Sequence, residues 1–154
     1  LRYLLDTNVI SELRKLGDGN ANENVVNWMG GQDSDDLCLS AITILELERG
    51  VLGVQRRDPA QGARLRNWLD HHVRPAFSGR VIPVDDAIVT RCAHLHIPDR
   101  RNDADALIAA TGLVHSLSVV TRNVRDFEGT GVVVIDPWRG SQAARTSGAS
   151  SRAP

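Results

Sequence analysis

Four carboxylates stand beside core-forming residues at widely separated points of the chain: Asp6, Glu46, Asp105 and Asp126. Asp6 follows the apolar run Leu1-Arg2-Tyr3-Leu4-Leu5, and Glu46 lies within Ile42-Thr43-Ile44-Leu45-Glu46-Leu47. Asp105 opens Ala106-Leu107-Ile108-Ala109-Ala110-Thr111, and Asp126 closes Val119-Val120-Thr121-Arg122-Asn123-Val124-Arg125. A carboxylate is costly to bury unless it is paired or binds a metal. Four of them in such settings point to one acidic pocket built for a hard cation. Mg²⁺ or Mn²⁺ takes oxygen ligands and keeps waters, so a few carboxylates suffice without His or Cys. Such an ion lowers the pKa of a bound water and stabilises charge on a scissile phosphate. Without it, the clustered charges repel one another and raise some of their pKa values.

Two other chemistries place aspartates past strand ends, and the residues exclude both. An aspartyl-phosphate phosphatase needs a second Asp two residues after its nucleophile, where this chain has Asn8. A phosphorylated receiver domain needs a lysine near the end of a late strand. The single lysine, Lys15, is in the wrong place.

The elements that must position these groups follow from periodicity and punctuation. Tyr3-Leu4-Leu5, Leu37-Cys38-Leu39, 80–84, 118–121 and 132–135 read as short apolar strands. Helices are expected over 9–13, 23–29, 41–54, 58–73, 85–95 and 104–115, with Ser40, Asp85 or Asp86, and Asn102 or Asp103 as caps. Pro83 puts its strand at an edge or that strand's end. The alternation predicts a parallel sheet covered on both faces, whose ligands bind beyond the strands' carboxyl ends. One domain covers residues 1–138, and the Ser-, Ala-, Gly- and Arg-rich residues 139–154 are expected to form a flexible basic tail.

Composition sets the surroundings. With 42% hydrophobic and 24% charged residues the chain is ordinary for a soluble domain, and no run is long enough to span a membrane. No basic stretch followed by an apolar one opens the chain, and Cys38 and Cys92 read as buried thiols, so the expected location is the cytoplasm. Of 18 basic residues all but Lys15 are arginine, which suits phosphate recognition but also fits a codon bias.

The motifs resemble a known family. Leu5-Asp6-Thr7-Asn8-Val9-Ile10-Ser11-Glu12 is similar to the opening of PIN-domain ribonucleases of the VapC/FitB toxin type. Leu39-Ser40-Ala41-Ile42-Thr43-Ile44-Leu45-Glu46-Leu47-Glu48-Arg49-Gly50 looks like their second motif, Asp105 to Thr111 the third, and Thr121 to Phe127 the fourth. Val134-Ile135-Asp136-Pro137-Trp138 resembles the ending of the FitB-like branch, so the resemblance covers residues 2–138. It implies a PIN-like α/β/α sandwich with a mostly parallel sheet. Asp6 and Asp105 would be direct metal ligands, Glu46 a ligand or holder of a coordinated water, and Asp126 the group completing the catalytic set. Thr7, Asn8, Thr121 and Asn123 would orient the carboxylates or waters. The implied activity is Mg²⁺-dependent endoribonuclease action, with Mn²⁺ able to substitute, leaving a 5′-phosphate. The implied partners are RNA, a cognate antitoxin protein, and a second copy in a dimer that assembles into a larger toxin–antitoxin complex.

Several of these residues also fit purely structural roles. Asp103 rivals Asp105, but residues two apart on a helix point about 200° apart, and Asp103 then serves as a cap or outer-rim group. Glu46 and Glu48 can be surface helix residues, and Asp126 a turn cap. His71, His72, His94 and His96 lack metal-site spacing, and Trp28, Trp68 and Trp138 read as packing residues. Arg100, Arg101, Arg122 and Arg125 are either solvated charges or phosphate contacts. The alternative functions are a structure-specific DNA nuclease and an antitoxin-bound, DNA-associated module with little nuclease activity.

Overall fold

A computed structural model describes residues 1–142 and 144–146. Its centre is a six-stranded sheet in the order β3-β2-β1-β4-β5-β6. The strands are β1 (Tyr3–Leu5), β2 (Leu37–Ser40), β3 (Val81–Ile82), β4 (Ser118–Val120), β5 (Val133–Ile135) and β6 (Ala144–Thr146). The first five are mutually parallel. The sixth pairs antiparallel with β5 through Val133↔Thr146, Val134↔Arg145 and Ile135↔Ala144. The tail expected from residue 139 is therefore partly engaged: a 3₁₀ segment, Pro137–Gln142, leads into β6. Residues 143 and 147–154 of that expected tail lie outside the described residues. The open edge of β5 offers unpaired backbone groups, and backbone pairing needs no apolar side chains. A composition-based reading is blind to that.

Alternation along the strands divides the core in two. Leu4, Cys38, Val119 and Val134 face one side, against Ile88, Cys92, Ala106, Ile108, Ala109 and Ala110. Leu5, Leu37, Leu39 and Val120 face the other, against Val9, Ile10, Leu47, Val51, Leu69, Val73 and Phe77. The first face is covered by α6 (Asp86–Leu95) and α7 (Asp103–His115). The second is covered by α1 (Thr7–Arg14), α2 (Glu23–Gly30), α3 (Ala41–Arg57), α4 (Pro59–Trp68) and the short α5 (Arg74–Ala76). A π-helical segment, Leu69–Val73, joins α4 to α5 and puts Leu69 and Val73 into the core.

The caps are local chemistry. Ser40, Asp58, Asp85 and Asn102 each accept a backbone N–H at the start of α3, α4, α6 and α7. The two sequence alternatives at α6 and α7 thus resolve to Asp85 and Asn102. Helix α7 lies close on the sheet because it is built of small residues. A Cβ on Gly112 would come within 2.7 Å of Val132 Cγ2 and 3.2 Å of Val119 Cγ2. Cys38 and Cys92 are buried free thiols as expected, and burial pushes Cys38 up to about 11. Glu48 departs from the surface role expected for it. It is half-buried and accepts from Arg66 at 2.8 Å and Arg74 at 2.6 Å, clamping α3 to the α4–α5 segment. A helical wheel of α3 alone does not contain the partner helix that makes this contact. Among the described residues no helix is long and apolar enough to cross a membrane.

Candidate functional site

The chain leaves β1 toward β2 and β3, then returns to place β4 on the other side of β1. The carboxyl ends of β1 and β4 thus form a switch point, where connections diverge and open a crevice. Asp6 is the first residue past β1, and its N–H is held by Val120 O at 2.9 Å. Thr121 is the first past β4, with its N–H on Ile135 O at 2.9 Å. Both side chains are buried, at 6% and 0% exposure.

Asp6 caps α1: its Oδ1 accepts the Thr7 N–H at 2.8 Å. Its Oδ2 accepts the Thr121 hydroxyl at 2.8 Å and, more loosely, Asn8 Nδ2 at 3.4 Å. Asn8 Nδ2 also donates to Thr121 Oγ1 at 3.1 Å, while Asn8 Oδ1 accepts the Arg122 N–H at 3.2 Å. The Asn123 N–H closes the ring on Thr121 Oγ1 at 3.0 Å. Glu46 is brought in from α3, where its Oε1 accepts the Thr7 hydroxyl at 2.8 Å. Thr7, Asn8 and Thr121 therefore orient carboxylates through their side chains. Asn123 contributes through its backbone N–H, which holds the Thr121 hydroxyl and not a carboxylate.

Asp105 enters from the first turn of α7 and lines the same cleft of about 410 Å³ as Asp6, Glu46, Thr7, Asn8 and Asn123. Asp126 sits in the 3₁₀ turn Val124–Phe127, exposed and lining an adjoining depression that shares Arg122 and Asn123 with the cleft. Its charge nonetheless reaches both Asp6 and Asp105. Asp103 points its carboxylate elsewhere, 3.3 Å from His96 Nε2 and 3.7 Å from Arg100. The helical phase that separates it from Asp105 is the one expected.

Charge repulsion is built into this arrangement. Burial raises Asp105 to about 6, helped by the negative charges of Asp126, Asp6 and Glu46. Burial likewise raises Asp6, against the lowering effect of hydrogen bonds from Thr121 and Thr7, with Glu46 and Asp126 adding repulsion. An all-oxygen set of carboxylates, one buried and the others around it, with negative charges raising Asp6 and Asp105, is chemistry that a hard divalent cation relieves. Among the described residues no three acidic, histidine or cysteine groups already close into a metal cage. The donors surround a cleft rather than a preformed ligand shell.

Thr121→Val tests this wiring. It keeps the buried shape but removes one donor to Asp6 and the acceptor for Asn8 and Asn123. Mn²⁺ affinity measured by calorimetry is expected to fall about 10–100-fold, with Thr121→Ser recovering most of it. Equal affinity in Thr121→Val would remove Thr121 from the site.

Some cleft residues were not anticipated: Ser11, Glu12, Arg14, Lys15 and Trp138. A signal for part of this set was present. Asn8, Ser11 and Glu12 recur at helical spacing along α1, and Lys15 continues that spacing just past its end, so once Asn8 faces the cleft the others share its side. Trp138 packs against the core as expected, yet it also borders the cleft and carries the Arg122 guanidinium 5.4 Å above its ring.

Residues 3–132 match the PIN domain. The chain is 37% identical over 144 residues to toxin FitB of Neisseria gonorrhoeae, covering 88% of this chain and 97% of that one. It is 38% identical over 142 residues to VapC ribonuclease Y4jK of Sinorhizobium fredii, covering 88% and 96%. The crystal structure of FitAcB from Neisseria gonorrhoeae superposes with a TM-score of 0.79 at 35% identity, covering 88% of this chain and 98% of that one. The switch-point cleft, the order of the acidic motifs and these matches agree: the chain belongs to the PIN-domain family, in its VapC/FitB branch.

Proposed function

We propose that the chain is a Mg²⁺-dependent endoribonuclease and the toxin of a toxin–antitoxin pair, with Asp6, Glu46, Asp105 and Asp126 as its catalytic carboxylates. The observation that carries this reading is the convergence of Asp6, Glu46 and Asp105 on one switch-point cleft with Asp126 at its flank, where burial and the neighbouring negative charges raise Asp6 and Asp105. A scaffold has no use for that repulsion. Relatives named as a ribonuclease and as a toxin support it.

Asp6 and Asp105 would hold the cation directly, with Mn²⁺ able to replace Mg²⁺. Bound there, the ion would supply an acidified water and neutralise charge on the phosphate. The chain's own residues do the rest. Thr121 and Thr7 fix the two Asp6 oxygens, and Thr7 also fixes Glu46, so neither carboxylate spends energy reorganising when substrate arrives. Glu46, oriented by its Thr7 bond, would ligate the cation or hold a coordinated water. Asp126 adds negative charge from the flank, strengthening the site's demand for a cation. An antitoxin partner, and dimers that assemble with it, belong to the same reading.

The deciding experiment presents purified protein with single-stranded RNA and with flap DNA, each with Mg²⁺ or EDTA. The expected result is Mg²⁺-dependent internal cleavage of RNA alone, leaving 5′-phosphate ends. Cleavage of the DNA instead, or of neither, would overturn the proposal.

A further inference from the structure

The floor of the cleft is acidic, but one side of its rim is not. Arg14, Lys15 and Arg122 line the same space as Asp6, Glu46 and Asp105. A purely acidic pocket repels a polyanionic strand, whereas a rim of opposite sign gives its flanking phosphates a place to sit. Lys15 differs from the other rim cations in two ways. It is the single lysine among 18 basic residues, so whatever makes this chain rich in arginine does not account for it. It is also gripped from beneath by a buried acid.

That acid is Glu12, only 8% exposed. One of its oxygens accepts from Lys15 Nζ at 2.9 Å and the other from the Asn22 N–H at 2.9 Å. These bonds, with the nearby charges of Lys15 and Arg122, hold Glu12 below the usual carboxylate range despite its burial. Glu12 thus stays ionised and fixes where the ammonium stands. An ammonium has three donors and Glu12 takes one. The Lys15 side chain remains 48% exposed at the cleft rim. The Glu12–Lys15 pair alone is neutral, and Arg14 together with Arg122, which lies over the Trp138 ring, supplies the net positive charge on this side.

We propose that Lys15, held in place by Glu12, is a substrate-binding residue that takes a phosphate oxygen of the RNA strand beside the cleaved bond. Glu12 is its positioning residue. The proposal rests on the nuclease reading above for its substrate, but its test does not depend on turnover. The rival is a purely structural pair, in which Lys15 does no more than neutralise Glu12.

The probe is a 5′-labelled single-stranded RNA oligonucleotide, bound in EDTA and followed by fluorescence anisotropy across a salt series. Lys15→Met is expected to weaken binding about fivefold at low salt and to flatten the log Kd–log salt slope by about 0.7, the loss of one phosphate contact. Lys15→Arg should keep most of both. Glu12→Gln keeps the lysine charge and loosens its position while also removing a negative charge, so the salt slope should hold and any change in affinity should be smaller than in Lys15→Met. With Mg²⁺ present, Lys15→Met should raise KM and leave kcat near the parent value. Unchanged affinity and slope in Lys15→Met would overturn the proposal and leave the structural pair. A parent protein that binds RNA through Lys15 but cleaves nothing would overturn the nuclease reading instead. A parent that binds no RNA would overturn both.

Discussion

Asp6→Asn and Asp105→Asn are each expected to lower Mg²⁺-dependent RNA cleavage on the order of 10³-fold, because each removes several kcal/mol of cation and transition-state stabilisation. The fold should survive both changes. Asn at position 6 keeps the oxygen that caps α1, and it relieves the burial cost that now raises the Asp6 pKa. It also turns an amide toward Asn8 Nδ2 and Thr121 Oγ1, so some hydrogen bonding is lost. Those effects oppose each other, and circular dichroism with a thermal melt should show a native-like protein. Asp126→Asn should cost less, since Asp126 lies in the adjoining depression and acts through its charge. Normal cleavage by either Asp6→Asn or Asp105→Asn would make the site assignment wrong.

The second large effect is on pH dependence, through Asp105. Its carboxyl is raised to about 6 in the folded, cation-free protein, against an ordinary value of 3.8. The folded state therefore holds a proton that the unfolded chain has released between those two values. As pH rises from about 4 to about 6, the folded state loses stability on this account, and above 6 the loss is complete. Asp105→Asn removes the term. After discounting for solvent around this partly exposed group, it should stabilise the cation-free protein at pH 8 by roughly 1–2 kcal/mol, or about 3–6 °C in Tm. At pH 4 the two proteins should melt alike. A bound cation competes with the same proton, so Mn²⁺ affinity should be level above pH 6 and fall about tenfold per unit below it. Parallel melting curves for parent and variant across pH 4–8 would show that burial and its acidic neighbours do not raise Asp105 as described.

Much of the fold was legible from local patterns. The five parallel strands are short apolar runs, and the helix starts at Ala41, Pro59, Asp86 and Asp103 follow capping residues whose chemistry is local. Helix ends were less legible: α3 continues to Arg57, three residues past the expected stop. The cap of α4 at Asp58, not an internal signal, ends it. The strand at Ala144–Thr146 was invisible because it is set by backbone pairing with the edge of β5, which no local sequence pattern marks.

The candidate site divides along the same line. Asp6, Glu46, Asp105 and Asp126 could be picked out by type and position, because a charge beside core residues needs a partner wherever it falls in the chain. Periodicity also separated Asp103 from Asp105. What distance along the chain cannot supply is who meets whom. Thr121 reaches Asp6 across 115 residues, and Asn8 reaches Thr121 across 113. Only the placement of β4 beside β1 makes those contacts. It also decides that Asp126 stands at the flank while Glu12 and Lys15 share the cleft. The sequence by itself determined which groups could carry the chemistry, through the cost of burying charge. The tertiary structure decided their geometry, because hydrogen bonds and Coulomb repulsion act through space at a few ångströms.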